Sequence, residues 1–352
     1  MLNKLKYNRK LHLIFPLVVF LVLSSGAVLQ DLNKKENRIE LKSNPNTERE
    51  NITEEETETT DTVRIGAYIF SVYDLDFPGK KVNVDFYLWY NARRDSIDML
   101  EYLEVINATE YNKSGETTEN RGEQLYQTVR INSTIKAEWD VTHFPFDRQV
   151  VEIMIEDYDK DNTKLVMIAD TIGSKIDKNV HIDGWQITGF EVKVYDHIYE
   201  TNYGDPDIPL NEFAAYSRTV ISFTIEREGK GLFFKLFVGL FISVLISLLT
   251  FFINPLDLDP RFGLSVGAIF AAIASQYVIS STLPQNDRLT LVDILHDISF
   301  IYIFICILIS TISLNYMKAD KVKQSQTLDK YSLYIFASTY VVLVLYFVSR
   351  AL

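Results

Sequence analysis

The sequence predicts a chain in two parts, an immunoglobulin-like β-sandwich followed by a four-helix transmembrane bundle. Three observations predict it. Residues 63–228 break into short runs rich in β-branched and aromatic residues, separated by turn signals, with no helix-period segment between them. Residues 229–352 hold four long apolar stretches. A mean hydropathy of +0.02 therefore averages a polar first two-thirds with a very apolar last third.

In chain order, residues 1–26 read as a secretory signal peptide. Lys4, Lys6, Arg9 and Lys10 form a basic start, Leu11–Leu23 an apolar core, and Ser24, Ser25, Gly26 and Ala27 a small-residue cleavage region, with cleavage after Gly26. An uncleaved anchor is the alternative, but the apolar core is short of the roughly 20 residues that a full span needs. Residues 27–62 read as an acidic flexible linker, since a stretch carrying Glu54, Glu55, Glu56 and Glu58 has no apolar area to bury.

Strands are expected at Val63–Tyr73, Val82–Tyr90, Tyr102–Thr109, Leu125–Trp139, Val150–Asp157, Lys164–Ala169, Gly184–Tyr195 and Arg218–Arg227. In the second run Val82, Val84, Phe86 and Leu88 alternate with Asn83, Asp85, Tyr87 and Trp89, the period of a half-buried strand. Phe77-Pro78-Gly79 reads as the turn before it. The spans are Leu232–Ile253 with Lys235 as its one charge, Phe262–Asn286, Ile298–Leu314 (extendable to Leu291 through His296 and Asp297) and Tyr331–Ser349. Lys318, Lys321, Lys323 and Lys330 lie between spans three and four. Placing them inside satisfies the positive-inside tendency and puts the N-terminal domain and the C-terminus outside a plasma (inner) membrane. Lipid is then one partner of the chain.

Composition excludes several functions. A net charge of −12 argues against nucleic acid as a partner. The single cysteine, Cys306, sits in an apolar run and reads as a small buried hydrophobe. No GxSxG, HExxH, P-loop or dinucleotide fingerprint is present, and the five histidines form no close pair with metal spacing, so neither an enzyme nor a cofactor is expected. Asp157, Asp159 and Asp161 fail as an EF-hand, with Asn162 and Ile168 where Gly and Glu are required. Divalent-ion or proton modulation stays open.

The second span differs from the others in its small and hydroxyl residues. Gly263, Gly267, Phe270, Ala274 and Tyr277 recur at spacings of three and four and so share one helix face. Such a face suits either tight packing or a wet pore, where Phe270 and Tyr277 would form apolar constrictions that gate by dewetting. One helix encloses no pore, so the second option requires a ring of copies.

At Ala137–Val151 the chain reads AEWDVTHFPFDRQVV. This resembles the signature loop of the Cys-loop receptors, matching at Asp140, Val141, Thr142, Phe144, Pro145, Phe146, Asp147 and Gln149. Ala137 and Val151 stand where the two cysteines would be, as in prokaryotic members of that pentameric channel family. Arg261-Phe262-Gly263-Leu264, Leu283-Pro284, Gly184-Trp185 and Arg227 match further positions. The resemblance implies a homo-pentamer in which a small-molecule agonist or a proton gates a pore for inorganic ions. It implies coupling through Asp76, Phe144, Pro145, Phe146, Asp147, Arg227 and Pro284, with Asp147 pairing with Arg227, joined by Asp76. It implies selectivity at Asp259 and Arg261, leaning to cations. Trp89, Tyr199, Tyr203 and Tyr216 would build an aromatic cage for an amine. The chain departs from the family pattern at Gly239, which replaces a proline, and at Asn91-Ala92-Arg93, which replaces Trp-x-Asp; it also lacks Trp-x-Pro-Asp between Ser96 and Ala137. The alternatives are an anion-selective channel, a non-conducting membrane-anchored receptor on the same scaffold, and a transporter, for which internal repeats and interrupted helices are missing.

Overall fold

A computed structural model describes residues 60–93, 98–201, 204, 213–285 and 288–352. The signal peptide at 1–26, nearly all of the 27–62 linker and Tyr203 lie outside the described residues. Within them, ten strands are followed by four long helices. Contacts group the strands with the first turns of the first helix and with Tyr277–Thr290 in one compact unit, and Val238–Gln276 with Leu291–Arg350 in another.

The strands are β1 (Asp61–Asp76), β2 (Lys81–Arg93), β3 (Leu103–Val105), β4 (Ala108–Arg121), β5 (Gln124–Lys136), β6 (Arg148–Asp157), β7 (Leu165–Ala169), β8 (Lys175–Ile176), β9 (Trp185–Tyr199) and β10 (Ala214–Arg227). They form two sandwich-like sheets. One runs β4-β5-β2-β1-β7 with β8 also on β1, and the other runs β3-β6-β10-β9. Strand β1 pairs antiparallel with β2 and parallel with β7 and β8.

Side-chain alternation puts one face of each central strand inside. On β2, Val82, Val84, Phe86, Leu88, Tyr90 and Ala92 are buried, and on β5 Leu125, Val129, Ile131 and Ile135. Across from them Val151, Ile153 and Ile155 on β6 and Ile221, Phe223 and Ile225 on β10 are buried as well. Each Val, Leu, Ile or Phe among them contributes about 1.5–3 kcal/mol of burial. On β1 a register shift at Ile69/Ser71 moves the inward position from Ile69 to Val72. At the β1–β2 turn Gly79 N–H donates to Asp76 Oδ1 at 2.8 Å, and Lys80 takes a positive φ of 53°.

Strand β4 differs from the sequence expectation, which ended the third run at Thr109. It continues to Arg121 because its role is to pair with β5 along a sheet edge. An edge strand wetted on both faces shows no apolar alternation, so periodicity does not reveal it. Strand β1 likewise starts at Asp61, inside the segment read as linker.

The helices are α1 (Gly229–Leu249, continued by a 3-10 turn to Phe252), α2 (Leu258–Ser280), α3 (Leu291–Lys318) and α4 (Val322–Ala351). All four are long and apolar enough to cross a membrane. Helix α2 begins and ends earlier than the hydropathy run. Pro260 is tolerated in a first turn, where N–H groups have no intrahelical partner, and Asp259 suits the positive end of the helix dipole. Polar side chains join the helices. Ser299 Oγ and Tyr340 Oη are 2.9 Å apart, Tyr302 Oη donates to Thr339 Oγ1 at 2.9 Å, and the Ser313 and Ser325 hydroxyls are 2.8 Å apart. Cys306 is buried and free.

Candidate functional site

The signature loop spans the turn between β5 and β6 and folds over the end of β10. Asp147 and Arg227 form a two-point ion pair, Nε to Oδ1 at 2.6 Å and Nη2 to Oδ2 at 3.2 Å. The Gln149 amide donates to Asp147 Oδ2 at 2.7 Å, and the Arg227 backbone N–H donates to the Asp147 carbonyl at 3.1 Å. Both side chains are largely buried. Three rings enclose the guanidinium: Trp185 at 4.0 Å, Phe77 at 4.8 Å and Phe144 at 4.9 Å from their centroids. A cation held between faces of negative quadrupole and bonded to a carboxylate replaces the hydration it has lost.

The loop also rests on the start of α1. Phe146 stacks on Phe233 at 5.6 Å. A Cβ at Gly229 would collide with the Pro145 carbonyl and the Phe146 ring, so glycine is needed there for close approach. The Phe144–Pro145 peptide is cis. Asp140 accepts from both the backbone N–H (3.0 Å) and hydroxyl (2.6 Å) of Thr142. Burial pushes its carboxyl up, but the Thr142 bonds and the charges of Arg288 and His143 outweigh that and hold it below the usual value.

Asp76 does not join the Asp147–Arg227 pair. Its carboxylate caps the β1–β2 turn at Gly79, and its carbonyl accepts from Trp139 Nε1 at 3.0 Å. Pro284 is described and buried, in the segment after α2. Of the three rings around Arg227, the sequence reading assigns Phe144 to coupling but gives no such role to Phe77 or Trp185. Gly184-Trp185 entered that reading only as a match to a family position.

On α2 two faces separate cleanly. Arg261, Ser265, Ala268, Ala272 and Ile279 are buried and define a packed seam. Gly263, Gly267, Phe270, Ala274 and Tyr277 are all exposed, and around the two glycines an added Cβ would meet nothing within 4 Å. Asp259 is exposed at the N-terminal end of the same helix. Arg261, expected beside Asp259 as a selectivity charge, lies on the packed seam instead, with 0% exposure. Its Nη2 donates to Asp329 Oδ1 at 2.7 Å, and its Nη1 donates to Asp329 Oδ2 at 3.0 Å and to the Ile253 carbonyl at 2.8 Å. The cause is helical geometry, since residues two apart point some 200° apart around the axis. Asp329 was missed. The one sequence signal was an acid just ahead of an apolar span.

Of the aromatic cage, the structure brings Tyr199 and Tyr216 together, with ring centroids 5.7 Å apart, and adds His197 at 4.5 Å from Tyr199. Trp89 is not with them in the same chain. It lies on β2 in the other sheet, against Gly66, with Nε1 donating to Asp170 Oδ2 at 3.2 Å. The cation facing the tyrosines is the chain's own Arg218. Its Nη2 donates to Tyr199 Oη at 2.9 Å and its Nε pairs with Glu156, while Tyr199 Oη donates to Glu156 Oε2 at 2.9 Å. Burial and the Glu156 carboxylate push the Tyr199 hydroxyl up to about 12.

No protein-family model matches this chain. It is similar to gamma-aminobutyric acid receptor subunits. It is 22% identical over 214 residues to subunit rho-2 of Bos taurus, covering 59% of this chain and 43% of that protein. It is 23% identical over 212 residues to subunit rho-1 of Homo sapiens, covering 59% and 41%. Against subunit rho-2 of Rattus norvegicus it is 23% identical over 216 residues, covering 60% and 43%. The matched region thus spans less than half the length of these curated relatives.

Proposed function

We propose that this chain is one subunit of a homo-pentameric ligand-gated ion channel whose pore is lined by α2. The observation that carries the reading is the bare face of that helix. Gly263, Gly267, Phe270, Ala274 and Tyr277 are left uncovered by the rest of the subunit, while the opposite face is packed. Small residues leave room for water toward Asp259, and Phe270 and Tyr277 supply apolar constrictions that close by dewetting.

The gate is driven from the sandwich. A small-molecule agonist, or a proton, with different affinity for two states shifts their populations. The shift passes through Phe144-Pro145-Phe146, Asp147 and Arg227 into α1, and through Pro284 at the other end of the pore helix. Asp76 takes part by holding the β1–β2 turn. The similarity to gamma-aminobutyric acid receptor subunits supports a small charged agonist, and Tyr199 and Tyr216 are the residues assigned to it.

The pore prefers cations, because Asp259 is exposed and the neighbouring Arg261 charge is buried and paired. The protein sits in the plasma membrane. Exposed Lys318, Lys321, Lys323 and Lys330 lie on the cytoplasmic side, and the sandwich and C-terminus lie outside.

The test uses purified protein in planar bilayers under an asymmetric salt gradient, stepping pH, divalent ions and a panel of amines that includes gamma-aminobutyric acid. A stimulus-dependent current from a five-membered ring is expected, reversing near the cation potential. A verified pentamer that stays silent throughout would favour a non-conducting receptor, and an oligomer of another order would end the reading.

A further inference from the structure

We propose that Asp329, on the last helix and 68 residues from its partner, is a specificity-determining residue of the pore, because it cancels the charge of Arg261. The inference rests on the channel reading above and extends it to a residue that lies off the pore helix.

Arg261 and Asp259 sit two residues apart at one end of α2 and carry opposite charges. Arg261 brings a guanidinium to this end of the helix, in a two-point ion pair with Asp329. It is wholly buried, beyond the reach of water and mobile anions, and its Nε has no partner. Among the described residues Asp329 is the one carboxylate that pairs with it. Ile253 supplies only a carbonyl dipole. A buried charge is screened far less than an exposed one, so an uncancelled Arg261 would raise the positive potential around Asp259 and oppose its attraction for cations.

The fold holds Asp329 to this task. Helix α4 is mostly uncovered, and its packed stripe is narrow: Ser325, Asp329, Ser332, Tyr340 and Phe347. One turn before Asp329, Ser325 is bonded to both the hydroxyl and the carbonyl of Ser313, which fixes the rotation of α4 and keeps the carboxylate on the α2 side. Charge cancellation in the pore helix is thereby built from the least buried of the four helices.

The experiment compares reversal potentials in asymmetric KCl for the wild type, D329N and the R261Q/D329N double variant. For D329N the cation-to-anion permeability ratio should fall by about tenfold, the scale of one uncompensated charge near the ion path. The double variant, with both charges gone, should return to the wild-type ratio. If D329N alone does not assemble, rings mixing it with wild-type subunits should show a shift graded with its share. An unchanged ratio in assembled or mixed rings, or a double variant shifted as far as D329N, overturns the proposal. A wild type that does not conduct, or that selects anions before any substitution, is a failure of the channel reading instead.

Discussion

The end of the sandwich around Arg227 and the start of α2 around Arg261 use the same device, a buried arginine bonded twice to an aspartate, in opposite surroundings. Arg227 is enclosed on every side that matters, by Asp147, Phe77, Phe144 and Trp185. Arg261 is packed on one face of a helix whose other face is bare. A region completed by its own chain explains itself, and substitutions there should register as lost stability. A region with a bare face is left open by its own chain, and under the proposed channel reading substitutions on that face should register in conduction with little change in the folded subunit.

The largest effect should come from breaking the enclosed pair. Arg227→Ala or Asp147→Asn leaves a charge or its ring lining unsatisfied, with an expected loss of about 3–5 kcal/mol in chemical denaturation or failure to assemble. The swap D147R/R227D should rescue poorly, because it moves a carboxylate among three ring faces. Good rescue would show that the rings add little and that the two pairs are alike after all.

Next is Gly229→Ala. The added methyl meets the Pro145 backbone carbonyl, which has no flexible end to swing away. Thermal unfolding should show a loss of about 1–3 kcal/mol, with coupling impaired in assembled rings. Gly263→Ala and Gly267→Ala form the contrast. Nothing lies near either Cβ position, and alanine is the better helix former by about 0.8–1 kcal/mol, so the subunit should keep or gain stability. Their single-channel conductance should drop. A clear loss of stability at either glycine would mean that the face is packed in the assembly and does not line a pore.

The smallest effect tests a flaw at the other end of the sandwich, where β6 finishes. Asp157 is buried, its Oδ1 accepts from the Asp159 and Lys160 backbone N–H groups, and its Oδ2 has no partner. Burial raises its carboxyl above the ordinary 3.8, more than those two bonds lower it. The native state therefore holds this proton more tightly than the unfolded chain, and stability falls as pH rises from 3.8 through the raised value. Asp157→Asn should remove that slope and leave the variant slightly more stable than wild type at neutral pH. A denaturation series from pH 4 to 8 in which the two proteins run parallel would count against it.

Much of the fold was legible in the residues. Strand β2 announced itself through Val82, Val84, Phe86 and Leu88, and the four spans through unbroken apolar runs, because burial on a strand or helix repeats at a fixed local period. Strand β4 did not, since a wet edge strand such as Glu110–Arg121 carries no such period. Spacing alone grouped Gly263, Gly267, Phe270, Ala274 and Tyr277 on one face of α2 and separates Arg261 from it, but left open whether that face is packed or bare.

The sequence by itself determined the two-part architecture, the strand faces, the membrane helices and the loop that meets Arg227, all of them patterns within a few residues or a short motif. Only the tertiary structure decided the partnerships: Arg261 with Asp329, Tyr199 with Glu156 and Arg218, Asp76 with its own turn, and Trp89 with Asp170 away from the tyrosines. The physical reason is that a buried charge takes whichever counter-charge the packing brings within bonding distance. For Arg261 that carboxylate stands 68 residues along the chain, where no local period extends.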